Sequence, residues 1–287
     1  MAKRILVIHH DDFDGWTAKL ILDKYYGFYL ENIPTSLSFY KIILNGINSD
    51  RVFSSIYILD LPIQEQYFEN VSLEKLTVID HHLSSKVISR NTFVYKVSSA
   101  ARAVYMFLKS KYNFVDPKLD PLLKVADEID SFKLTDVSKK LFMISAYLGY
   151  KSLYNYFYNN SLWDRDLELL YKISLELHNK EKEEIFKRSN VLNHNELNIF
   201  VTELPYGDLT QHTDKISLLC GELLKENDLV VIFGRYSVEL RSKNIDVGRI
   251  AKIFNGGGHK YAAGFPLADS SFTKEKVLKK ILQNISL

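Results

Sequence analysis

Five side chains of the types that hold metal ions, His9, His10, Asp11, Asp12 and Asp14, crowd into six positions near the start of the chain. They follow an apolar run and precede Gly15. Clustering that many carboxylates is costly unless cations neutralise them. Alternation along an extended backbone would throw His10, Asp12 and Asp14 onto one face, and a glycine at a strand-to-helix turn lets the chain bend sharply. The expectation is a divalent-cation site at the carboxyl end of a first strand. Two later stretches end in the same chemistry. Asp60 follows Tyr57-Ile58-Leu59, and Asp80-His81-His82 follows Thr77-Val78-Ile79. Asp127 or Asp130, one turn apart on a helix after Pro117, offers a further carboxylate. A thiolate-free, oxygen-rich set with imidazoles suits hard octahedral cations, manganese best, with magnesium or ferrous iron as alternatives. More carboxylates than one ion needs point to two ions sharing a bridging Asp, ~3.5–4 Å apart, as in phosphoryl chemistry. Asp60 taken alone reads as an ordinary cap or turn residue; the two clusters exceed that need.

Elements that could position these groups follow from hydrophobic periodicity. Arg4–His9 reads as a central parallel strand, and Phe39–Leu44, Ile56–Leu59 and Leu76–Ile79 as further strands. Ala18, Ile21, Leu22 and Tyr25 have helical spacing, as do Ala101, Val104, Tyr105 and Leu108 after a Ser98 or Ser99 cap, and Leu119, Leu122, Leu123 and Ala126. This alternation predicts an open, mostly parallel α/β sheet with flanking helices, in which groups at neighbouring strand ends converge. Residues 134–190 read as helical, without a sustained heptad. A strand at Asn198–Thr202, a hairpin of Leu229–Phe233 and Ser237–Arg241 around Gly234, a helix capped by Asp246 and a last helix opened by Thr273 predict a smaller α/β domain. The expected division is 1–135, a helical linker at 136–195, and 196–287.

The C-terminal part carries its own chemistry. Gly256, Gly257 and Gly258 could leave backbone amides open to an anion. Arg241 could clamp a phosphate, and His259 could stack on a base or bond a phosphate. One glycine would serve as a helix terminator; three followed by a histidine exceed that need.

Composition sets bounds. A chain of 287 residues suggests about two domains. The formal charge of +2 favours short anionic ligands over long duplex DNA. A single cysteine, Cys220 in an apolar setting, fits a reduced cytoplasmic home. No apolar run approaches the ~18 residues of a membrane span, and the N-terminus turns acidic too soon for a signal peptide. His178, His194 and His212 are scattered, Arg102, Lys109 and Lys111 fit a solvated helix face, and no phosphate loop ending in Gly-Lys-Ser/Thr occurs.

These residues resemble the DHH phosphoesterase family, named for the triplet present here as Asp80-His81-His82. Its His-x-Asp-x-Asp-Gly motif matches His10 to Gly15, and its strand-terminal Asp matches Asp60. For its fourth motif, residues 126–131 offer Asp127 and Asp130, with Asp127 favoured. Val238-Glu239-Leu240-Arg241-Ser242, Asp246 to Ala251 and Gly256 to Phe265 look like the DHH-associated C-terminal domain. The resemblance implies that His10, Asp12 and Asp60 hold one ion, and that Asp14, Asp60, His81 and Asp127 hold the other. It further implies that His82 faces the scissile phosphate as charge stabiliser or proton donor, with Asp80 orienting a histidine. Arg241, Ser242, Gly256, Gly257, Gly258 and His259 would bind substrate.

The expected activity is that of a manganese-dependent phosphodiesterase, an exoribonuclease-like hydrolase. It would cut short single-stranded oligoribonucleotides or linear dinucleotides to nucleoside monophosphates. Cyclic dinucleotides, adenosine bisphosphate, or a catalytically silent nucleotide-sensing module are the alternatives. No membrane partner is expected; a homodimer is left open.

Overall fold

The computed structural model describes residues 4–36, 40, 42–44, 46, 53–62, 73–82, 85–159, 162–204, 209–267 and 273–285. The chain divides into two compact units, Met1–Ser174 and Leu175–Leu287.

The first unit is built on a parallel sheet of β1 (Ile5–His10), β2 (Glu31–Thr35), β3 (Ser55–Leu59), β4 (Leu76–Asp80) and β5 (Thr92–Val94). Their spatial order is β2-β1-β3-β4-β5. The near-continuous apolar runs of β1 and β3 fit strands covered on both faces. Register does the positioning. His9 pairs with Leu59 and Leu59 with Ile79, so the next residues, His10, Asp60 and Asp80, finish at one level.

One expected strand is corrected. Of Phe39–Leu44, the described residues Tyr40, Ile42, Ile43 and Leu44 are helical, while Phe39 and Lys41 lie outside the described residues. Tyr40 and Leu44, four apart, are both buried against the sheet. A short unbroken apolar run does not distinguish the two periods. The true second strand, β2, is polar and contains Pro34, which only an edge position tolerates.

Helix α1 (Phe13–Tyr26) starts at the Asp12 cap and stops at Gly27, whose φ is 76°. Ser99 caps α2 (Ala100–Tyr112), and Pro121 stands in the first turn of α3 (Asp120–Asp130). A Thr135–Ser138 capping box opens α4 (Asp136–Leu148), followed by α5 (Lys151–Tyr158) and α6 (Arg165–Phe186). The stretch 136–195 is not uniform. Its first part packs on the first unit: Tyr150 lies 5.1 Å from the Phe13 ring and 5.9 Å from Trp16, and its hydroxyl is 2.8 Å from Thr17 Oγ1. Its last part contains the polar edge strand β6 (Asn190–His194), which periodicity did not predict.

The second unit holds β6, β7 (Leu197–Glu203), β8 (Leu229–Phe233), β9 (Ser237–Ser242), β10 (Gly257–Gly258) and β11 (Ala262–Pro266). Their order is β10-β11-β9-β8-β7-β6, with β7 and β8 parallel and the other described pairs antiparallel. α7 (Thr213–Leu223) covers one face. α8 (Val247–Ile253), capped by Asp246, and α9 (Lys274–Gln283), capped by Thr273, cover the other. No described helix is long and apolar enough to cross a membrane.

Candidate metal centre

The carboxyl edge of the first sheet gathers most of the residues singled out from the sequence, though by a different route from the one expected. β1 ends at His10, so His10, Asp12 and Asp14 do not lie along one extended strand. Asp12 is the helix cap, accepting from Gly15 N at 2.9 Å, and Asp14 sits in the first turn of α1. A strand–cap–helix corner, not period-two alternation, brings them together. Gly15 is needed for proximity: a Cβ there would fall 2.2 Å from the His10 carbonyl oxygen. His9 and Asp11 point elsewhere. Buried His9 contacts the His10 carbonyl oxygen and Asn32, and Asp11 accepts from Trp16 Nε1.

Asp60 adopts φ 58°, a left-handed conformation that is uncommon for a residue with a side chain and is often held at functional sites. Its carboxylate lies 3.9 Å from His10 Nδ1 and 3.4 Å from His81 Nε2. Across the cluster, His10 Nδ1 is 2.6 Å from Asp12, and His81 Nε2 is 3.8 Å from both Asp14 and Asp130. Among the described residues, three overlapping ligand groups result: His10, Asp12 and Asp60; Asp14, His81 and Asp130; and Asp60, Asp80, His81 and His82.

Of the two candidate carboxylates on α3, Asp130 approaches His81, and Asp127, favoured from the sequence, is turned away. Asp127 accepts from Ser99 Oγ at 2.6 Å and from Arg102 Nε at 2.5 Å, which turns it toward the start of α2. Residues three apart on a helix share a face only roughly, and here the Arg102 ion pair separates them. Asp14 likewise accepts from Ala100 N and Ala101 N at 2.6 and 2.9 Å, so the α2 N-terminus steadies its charge.

The electrostatics are those of a cluster short of positive charge. Burial, then mutual repulsion, raises Asp14 and Asp60 well above the usual carboxylate range, and raises Asp130 to about 7. Burial also pushes Asp12 upward, but the adjacent His10 outweighs it and leaves Asp12 low. His81 is lowered by burial and by His82, which favours the neutral imidazole that metals bind. Its Nε2 is buried without a hydrogen-bond partner. Carboxylate oxygens 3.4–3.8 Å away are too distant for hydrogen bonds but suit ligands around one ion at about 2.0–2.2 Å. The donor set therefore fits divalent cations.

Beside the cluster, Asp80 is fully buried, with one oxygen 2.7 Å from His82 Nδ1 and the other bonded by Ser85 Oγ. Burial alone would lower His82, but Asp80 outweighs it and raises the imidazole. Asp80 is held low by the same contact, against its own burial. Ser85, absent from the sequence reading, completes this chain of contacts.

In the second unit the expected substrate residues divide. Ser242 is buried and committed: its Oγ donates to the Asp228 carbonyl oxygen and accepts from Asn244 N and Ile245 N, so it holds the turn after β9 and is not available to substrate. A Cβ on Gly256 would fall 2.2 Å from the Gly264 carbonyl oxygen, and one on Gly258 2.6 Å from that of Ala262, so packing against β11 accounts for both. Gly257 faces open space, and His259 is exposed at the tight turn before β11. Arg241 pairs with Glu239, a partner that alternation along β9 could have revealed.

Comparisons with known proteins agree with this architecture. A DHHA1 domain model matches residues 196–286. No curated protein sequence matches the chain significantly. Among solved structures, the fold is similar to the DHH domain of a protein described as belonging to a family of ribosomal proteins, at TM-score 0.66 and 14% identity, over 99% of this chain and 88% of that one. It is similar to the pGpG-specific phosphodiesterase PggH from Vibrio cholerae at TM-score 0.55 and 16% identity, over 98% of both chains. It is also similar to RecJ in complex with Mn2+ from Thermus thermophilus at TM-score 0.64 and 15% identity, over 98% of this chain and 52% of RecJ.

Proposed function

We propose that this chain, which has the DHH phosphoesterase fold with a DHHA1 domain at residues 196–286, is a divalent-cation-dependent phosphodiesterase of short oligoribonucleotides or linear dinucleotides. The observation that carries the reading is His81 Nε2, buried, unbonded and aimed at Asp14, Asp60 and Asp130. His10, Asp12 and Asp60 would hold one cation, and Asp14, Asp60, His81 and Asp130 a second, with Asp60 common to both. Manganese suits this oxygen and imidazole set, as would magnesium. When bound, such cations lower the pKa of water and neutralise phosphate charge.

The chain's own groups do the rest. In-line attack of water on phosphorus breaks the bond to the leaving nucleoside oxygen. His82, whose protonated form the buried Asp80 favours, supplies the proton that this oxygen takes. Asp80 thus acts through His82 rather than on the substrate. The nearly balanced charge of +2 favours short substrates over long polyanions, and the similarity to a pGpG-specific phosphodiesterase and to a protein described as exonuclease RecJ supports a nucleotide class.

The test is release of nucleoside monophosphates from a short RNA with and without manganese, alongside the metal content of the protein. Asp60→Asn and His81→Ala are expected to lose turnover by at least about 100-fold and to retain less metal. Metal-independent turnover, or full activity in both variants, would sink the reading.

A further inference from the structure

β9 sends alternate side chains to opposite faces of its sheet. Val238 and Leu240 enter the core under α8 and α9, so Glu239 and Arg241 share the other face. Arg241 Nη1 donates to Glu239 Oε2 at 2.7 Å and to the Leu240 carbonyl oxygen at 3.0 Å. Their side chains are 13% and 14% exposed. Among the described residues, Arg241 Nε and Nη2 and Glu239 Oε1 have no hydrogen-bond partner. Across the sheet Glu239 pairs with Gly264, and Gly264 with Gly257. A Cβ on Gly264 would fall 2.4 Å from Glu239 Oε1, whereas one on Gly257 meets nothing. Gly264 therefore makes the room that the carboxylate occupies, and among the described residues nothing crowds the position beyond it at Gly257.

A half-buried carboxylate this close to the guanidinium is a poor neighbour for phosphate, because it repels the anion that Arg241 alone would attract. The paired donors and acceptors suit a neutral group that accepts at one point and donates beside it. Every nucleobase edge offers some such alternation. Guanine alone presents an acceptor, O6, followed by two adjoining donors, N1–H and the N2 amino group, and a carboxylate accepts at both oxygens. The remaining Arg241 donors can meet O6, an acceptor that Arg also uses when it reads guanine in duplex DNA.

We propose that Glu239 and Arg241 form a guanine-reading site in the DHHA1 domain, with Glu239 as the specificity-determining residue. The inference deepens the phosphodiesterase reading and rests on it for the class of substrate, namely short oligonucleotides with a guanine at the position bound by this domain.

The test is calorimetric binding of guanosine, GMP, adenosine and AMP to the full chain in EDTA, where no turnover occurs. The wild type is expected to prefer the guanine member of each pair by about tenfold or more. Glu239→Gln, which keeps the shape but replaces an acceptor with a donor, is expected to bring that ratio within about twofold at an unchanged melting temperature. Glu239→Ala provides the second variant should Gln disturb the fold. Equal binding of GMP and AMP by the wild type, or no binding of guanosine, overturns the proposal. So does uniform tightening of GMP and AMP in either variant, since Glu239 would then only screen a phosphate site. Because base preference is read without hydrolysis, a chain that discriminates but cuts no RNA fails only the proposed activity. A chain that cuts RNA with no base preference fails only this inference.

Discussion

Asp80 and His82 divide one task between two residues. The carboxylate is wholly buried, fixed by Ser85 on one side, and bonded to the imidazole on the other. His82 is raised by that bond, so the acid form it needs as a donor persists below its folded pKa and is lost as pH rises through it. Asp80→Asn should move the basic limb of the pH–rate profile to lower pH and reduce turnover about 10- to 100-fold. An unmoved limb would remove His82 from the donor role. Asp127 and Asp130 give the second prediction at this scale. Asp130→Asn should weaken manganese binding about 10- to 100-fold with little loss of fold, because it relieves repulsion from Asp12. Asp127→Asn should do the reverse, weakening the tie to Arg102 and Ser99 and lowering the melting temperature while manganese still binds. Thermal shift with and without manganese separates the two.

The corner where β1 hands over to α1 is the element on which the site depends. Asp12 serves as helix cap and as ligand candidate together, and α1 lies so close to the strand end that only glycine fits at position 15. Gly15→Ala should destabilise the first unit by about 1–3 kcal/mol, the usual range for overpacking, and should also weaken the manganese response. Gly257→Ala, whose Cβ meets nothing, should stay within about 0.5 kcal/mol in the same denaturation experiment. Equal effects would mean that the His10–Gly15 contact is not tight in solution. Local signals predicted much at this scale. Ser99, Asp246 and Thr273 all cap the helices expected of them, and Gly234 lies between the strands of the expected hairpin. Failures came where local signals were silent or divided. β2 and β6 are polar edge strands held by their neighbours, and the run around Tyr40 suited either period.

For the molecule as a whole, the carboxylate cluster links fold, pH and metal. Asp14, Asp60 and Asp130 have folded pKa values above their unfolded ones. Their contribution to stability is therefore complete below about pH 4 and is lost as pH rises, through about 7 for Asp130. Metal-free protein should lose thermal stability between pH 5 and pH 8. Manganese should oppose that loss, with a larger rise in melting temperature at the higher pH, because the ionised carboxylates are the ligands. An equal manganese shift at both pH values would dissociate the carboxylates from metal binding.

The sequence alone determined the chemistry on offer and much of the scaffold. Short apolar runs marked β1, β3 and β4, helical spacing marked the helices after Ser99 and Asp246, and the clusters at His10–Asp14 and Asp80–His82 named the ligand types. These signals are local, carried by residues within a few positions of one another. Tertiary structure decided which of two similar carboxylates joins the cluster, since Arg102 and Ser99 claim Asp127 across 25 and 28 residues of chain. It also decided that Ser242 braces a turn against the Asp228 carbonyl and that Gly264, on another strand, makes room for Glu239. Hydrogen bonds and charge pairs between distant segments make those choices, and their partners are set by register and packing, which no short stretch of sequence contains.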